Sequence, residues 1–113
     1  MIIDTKLAIE KCSGNSELAK ELFTMLIKEL PKSLNDIKSS FQLNLNQDLL
    51  NHAHRLHGST VYCGVPDLKS AADKLENCIK NNNINEIQFN IDEVEMSIQS
   101  LLHHAPDILK NNW

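Results

Sequence analysis

In the segment Ala53-His54-Arg55-Leu56-His57-Gly58 an imidazole and a glycine stand four residues apart, and Gly64 follows six residues later. A neutral imidazole nitrogen can attack phosphorus, and the phosphoramidate that forms is reactive enough to pass the phosphoryl group onward. His54 is therefore a candidate phosphoryl carrier. Leu49, Ala53, Leu56, Thr60 and Cys63 recur at helical spacing as one apolar stripe, and His54 falls off it, on the side that meets water. Helical side chains lean toward the N-terminus, so a side chain at position 58 would cover His54. Gly58 leaves the ring bare, at a cost of about 1 kcal/mol of helix propensity relative to alanine.

An orienting group follows from the corner after this helix. Gly64 suits the left-handed residue that ends a helix, and Pro66 suits the first turn of the next, which together make a tight helical hairpin. His54 lies eleven residues before Val65 and Glu76 eleven after it, so antiparallel helices would set the two at one level. Glu76 can then accept the Nδ1–H and leave Nε2 with a free lone pair. Lys80, one turn beyond Glu76, and His57, one turn beyond His54, are the groups within reach of phosphate oxygens.

Five helices must position these residues. Asp4 caps a short first helix through Leu7, Ala8 and Ile9, which Ser13-Gly14-Asn15 interrupts. Leu18, Leu22, Met25, Leu26, Leu30, Leu34, Ile37 and Phe41 form the stripe of a long second helix that keeps its phase across Pro31, so a kinked continuous helix is expected. Asn44 to Asn46 mark a boundary, and the third helix spans Gln47 to Tyr62. The fourth should bury Leu68, Ala71, Ala72, Leu75, Cys78 and Ile79 and present Lys69, Asp73, Glu76 and Lys80 on the opposite face. After Asn81-Asn82-Asn83, the fifth carries Ile84, Ile87, Ile91, Val94, Ile98 and Leu101, and Pro106 with Asn111-Asn112-Trp113 reads as a short tail. The expected fold is all-α: an antiparallel up-down four-helix bundle with a short extra N-terminal helix, formed as one domain over residues 1–113.

Ala53-His54-x-Leu56-x-Gly58, Gly64, Leu68 and Leu75-Glu76 resemble the signature of histidine-containing phosphotransfer (HPt) domains, over nearly the whole chain. His57-Gly58-Ser59 with Tyr62-x-Gly64-Val65-Pro66 is most similar to the C-terminal HPt module of GacS/BarA-type hybrid sensor kinases. The resemblance implies a phosphorelay intermediate of a two-component system. His54 would accept a phosphoryl group from the aspartate of one receiver domain and deliver it to the aspartate of a response regulator. It also implies a monomer on the cytoplasmic side, free-standing or as the C-terminal domain of an inner-membrane sensor kinase.

Composition narrows the alternatives. A formal charge of -4 without a Lys/Arg cluster lacks the basic footprint that nucleic acid requires. No stretch approaches the roughly 18 apolar residues of a membrane span. Cys12, Cys63 and Cys78 form no C-x-x-C pair and read as small buried or half-buried residues of a reduced, cytosolic protein. His54 and His57 are spaced to share an ion, but His52 points to another side and no carboxylate or thiol stands at paired ligand spacing, so no metal site is expected. Without a Gly-rich nucleotide loop, P-loop or kinase catalytic loop the chain is not expected to be an enzyme on its own. No cofactor is expected either, Mg²⁺ being supplied by the receiver. The competing reading is a helical docking or adaptor module of HPt-like fold that transfers nothing.

The family usually has a lysine where this sequence has His57. An unperturbed imidazole, with a pKa of about 6.5, is mostly neutral near pH 7, so the expected consequence is modestly pH-sensitive transfer. Transfer rates of the wild type and of His57→Lys, followed from mildly acidic to mildly basic pH, should diverge; parallel profiles contradict the expectation.

Overall fold

The computed structural model describes residues 1–111 and 113. The chain forms α1 (Thr5–Lys11), α2 (Ser16–Gln42), α3 (Asn46–Ser59), α4 (Pro66–Lys80) and α5 (Ile84–Lys110), with no strand among the described residues. α2 packs on α3 and α5, and α4 packs on the same two, which closes a four-cornered bundle; α1 lies against α2. Short connections at 43–45, 60–65 and 81–83 make successive bundle helices antiparallel. No helix is long and apolar enough to cross a membrane among the described residues.

Local signals account for most boundaries. Asp4 Oδ1 accepts the Leu7 N–H and Asn15 Oδ1 the Leu18 N–H, each at 3.0 Å, so both early helices start on side-chain caps. Asn44 and Asn82 take the left-handed conformation, with φ of 57° and 56°, and turn the chain after α2 and α4. Leu30, Ile37, Leu49, Leu56, Leu68, Leu75, Ile91, Ile98 and Leu101 meet in the central core. Pro31 and Pro106 lie inside α2 and α5 on exposed turns, where the carbonyl that each proline leaves unpaired can turn toward water.

Four expectations change. The phase of α2 is set by Ala19, Phe23, Leu26 and Leu30, whereas Leu18 and Met25 are exposed. Ile84 is exposed at the start of α5, ahead of the level at which the bundle closes around Ile87. Pro106 belongs to α5 rather than to a tail, and Trp113 packs its ring 5.2 Å from that of Phe23 and donates Nε1–H to the Ile108 carbonyl. The tail expectation also covered Asn112, which lies outside the described residues.

The fourth change concerns the corner. α3 ends at Ser59 rather than Tyr62: the Ser59 and Thr60 hydroxyls donate to the Leu56 and His57 carbonyls at 2.9 and 2.6 Å, and the Thr60 and Val61 amides reach back only three residues. Thr60, Cys63 and Val65 remain buried, so the turn itself covers the core. Gly64 is left-handed, with φ 66°, but closes this turn instead of capping the helix, and its carbonyl accepts the Asp4 N–H at 2.7 Å. An added Cβ would collide with the Asp4 carbonyl oxygen and sit 2.8 Å from the Ala8 Cβ. Gly64→Ala should therefore cost roughly 2–4 kcal/mol, from backbone strain plus overpacking, read as a lowered denaturation midpoint. A loss below about 1 kcal/mol would show that α1 yields without cost.

Candidate functional site

Pro66 is the first residue of α4, and α4 returns alongside α3. The residues equidistant from Val65 do come level: His54 Nδ1 donates to Glu76 Oε2 at 2.6 Å. His57 Nδ1 donates to Glu76 Oε1 at 2.8 Å, and Lys80 Nζ reaches Oε2 at 3.2 Å. One carboxylate thus gathers two imidazoles from α3 and a lysine from its own helix.

Glu76 does not lie on the outer face of α4 as expected. It is 4% exposed. The position is four residues beyond Ala72 and three before Ile79, on the flank of the buried stripe that turns toward α3, and the two imidazoles and Lys80 close over it. The sequence holds no local sign of this, because a polar residue four beyond Ala72 suits a core flank and a wet edge equally. Ala71, expected in the core, is only half-buried.

Burial by itself would raise the Glu76 pKa, but the hydrogen bonds from His57, His54 and Lys80, with the Lys80 charge, outweigh it and hold the carboxyl at about 2. Glu76 is consequently ionised and can only accept hydrogen bonds. Nδ1 of His54 must carry the hydrogen, so in the neutral ring Nε2 keeps its lone pair. The His54 side chain is 73% exposed, and this nitrogen is open to an incoming group.

Gly58 sits in open space: nothing lies within 4 Å of an added Cβ, so it is not a close-packing glycine. A single methyl there would not touch the His54 ring, contrary to the expectation that a side chain at position 58 would cover it. Beside it a cleft of about 190 Å³ runs between α2 and α3, lined by Leu22, Met25, Leu26, Gly58, Tyr62 and Cys63 among others. Of these, Met25 and Tyr62 are exposed.

His57 is turned inward. Its side chain is 26% exposed, its Nδ1 is spent on Glu76, and its Nε2 lies 3.8 Å from Asp73 Oδ1, beyond hydrogen-bond length. The cation that shares Glu76 Oε2 with His54 is Lys80. His52 lines a separate cleft with Glu29, Lys32, Asp36 and Arg55 and joins neither of the other two imidazoles. All three cysteines are buried and unpaired. Burial first, then Cys12 and Glu29, push the Cys63 thiol up to about 11, while burial and Glu86 raise Cys78.

A carboxyl held at about 2 against an ordinary 4.5 contributes stability that is fully present above pH 4.5 and disappears as pH falls through 2. Wild type should therefore lose on the order of 3 kcal/mol across that window, and Glu76→Gln should lack this component while being less stable at neutral pH. Denaturation curves collected from pH 6 downward check this; identical acid profiles for the two proteins would contradict it.

A family model described as "Hpt domain" matches residues 21–104. The chain is 30% identical over 104 residues to the sensor histidine kinase GacS of Pseudomonas protegens, covering 92% of this chain and 11% of GacS. It is 31% identical over 74 residues to the signal transduction histidine-protein kinase BarA of Escherichia coli K12, covering 66% of this chain and 8% of BarA. The chain thus spans about a tenth of the length of these kinases. A crystal structure of the HPT domain from a Shewanella Hpt sensor hybrid histidine kinase superposes with a TM-score of 0.87 at 24% identity, covering 96% of this chain and 94% of that one, and shows the same fold. Since the matched segment contains His54, Gly58, Glu76 and Lys80 together with the corner that aligns them, the chain belongs to the Hpt domain family.

Proposed function

We propose that this chain is a phosphorelay intermediate in which His54 takes a phosphoryl group from a receiver-domain aspartate and passes it to the aspartate of a response regulator. The observation that carries the reading is the 2.6 Å bond from Nδ1 of an exposed His54 to a buried, ionised Glu76. It holds the ring in the tautomer whose Nε2 can attack. The Nε2 lone pair forms the N–P bond, and the P–O bond of the aspartyl phosphate breaks with its electron pair going to the aspartate carboxylate. The ring becomes cationic while Nδ1 keeps its hydrogen, and Glu76 stabilises that charge. Delivery to the second aspartate reverses these steps.

Lys80, 53% exposed and 3.2 Å from Oε2, can swing to meet phosphate oxygens. Glu76 is occupied by three donors, and among the described residues no group of His, Cys, Asp and Glu stands ready to hold a metal ion, so Mg²⁺ accompanies the receiver. The chain is accordingly a carrier and not an enzyme on its own, and it works as a monomer on the cytoplasmic side with the receivers of a hybrid sensor kinase and a response regulator. Their docking face is the exposed surface around His54 on α3 and α4, which extends to the α2–α3 cleft where Met25 and Tyr62 adjoin Gly58. The similarity to GacS and BarA supports such partners.

Incubation with a phosphorylated receiver should place acid-labile phosphate on the wild type, and His54→Gln should reduce it to background. Met25→Asp should raise KM for the phosphoreceiver about tenfold while leaving kcat within about twofold. Absence of label on the wild type, or label that survives His54→Gln, would instead favour a non-transferring adaptor.

A further inference from the structure

His57 is more than a replaced lysine. Glu76 is held through both oxygens, and the two are divided: Oε2 takes His54 and Lys80, whereas Oε1 takes His57. A glutamate side chain has three rotatable bonds and would not by itself keep one oxygen aimed at an imidazole. At 4% exposure it also cannot draw on bulk water for a missing partner. We propose that His57 is a positioning residue for His54: by donating Nδ1–H to Oε1 it locks the Glu76 carboxylate so that Oε2 fixes the Nδ1–H tautomer of His54.

The geometry separates this role from direct contact with phosphate. Because an ionised carboxylate only accepts, the hydrogen of a neutral His57 is on Nδ1, and its Nε2 has none to offer an anion. That Nε2 faces Asp73, and it borders a cavity of about 360 Å³ whose charged lining is Lys11 from α1 with Lys69 and Asp73 from α4. His57 therefore acts through Glu76, one residue removed from the reacting nitrogen.

The inference rests on His54 being the phosphoacceptor, but its first test does not require transfer. In the full chain labelled with ¹⁵N-histidine, long-range ¹H–¹⁵N spectra at neutral pH report the His54 tautomer. Wild type should be overwhelmingly Nδ1–H. His57→Leu keeps bulk but removes the donor, and should raise the Nε2–H share to tens of per cent, with kcat for transfer falling about tenfold and KM for the phosphoreceiver within about twofold. His57→Asn places an amide N–H where Nδ1 stood and should restore both the tautomer and kcat. An unchanged His54 tautomer in a folded His57→Leu, or a folded His57→Asn that behaves like His57→Leu, overturns the proposal. A wild type that holds the tautomer but accepts no phosphoryl group overturns the phosphorelay reading instead and leaves the positioning role standing.

Discussion

The arrangement depends on one buried charge. A carboxylate removed from water is strongly unfavourable unless donors replace its hydration, and at Glu76 three do so. Two of the donors belong to α3 and the carboxylate to α4, so satisfying the charge also registers the two helices against each other. The seam and the site are therefore one structure. Loosening either helix would expose Glu76, and any change at Glu76 is felt by the ring of His54.

The corner between α3 and α4 makes that registration possible. Ser59 and Thr60 end the helix by donating to carbonyls three residues back, the turn continues over the core through Cys63, and Pro66 starts α4. Gly64 lets α1 press against this turn, since the Asp4 amide bonds its carbonyl and Ala8 occupies the space a side chain would need. The short first helix is not one of the four corners, but it packs on α2 through Ala8, Cys12 and Ala19 and braces the loop that levels His54 with Glu76. A distant N-terminal contact and the chemical site are joined through one glycine.

Exposure around His54 follows two rules. The ring itself stands in water and Gly58 adds no side chain near it, while the apolar surface of the adjoining cleft includes Met25 and Tyr62, which periodicity assigns to the interior or leaves without a role. In α2 the actual core phase runs through Ala19 and Phe23. A leucine or methionine stripe one position away satisfies the same spacing, so the pattern alone does not distinguish a core face from a partner face. Trp113 illustrates the opposite case, a terminal residue that covers Phe23 although it looked like tail.

Much of the molecule was legible in its sequence: five helices, their order, the capping role of Asp4, and the pairing of His54 with Glu76 across a corner at equal distance from Val65. These are consequences of local propensity and of the rise per residue along a helix, both properties of neighbouring residues. Tertiary structure alone decided that Glu76 is buried, that His57 serves it through the second oxygen, and that α1 braces Gly64. Each of these depends on which flank of one helix a second helix covers. That is fixed by the packing of whole faces, and a polar residue at the edge of an apolar stripe carries no local sign of whether water or a neighbouring side chain will meet it.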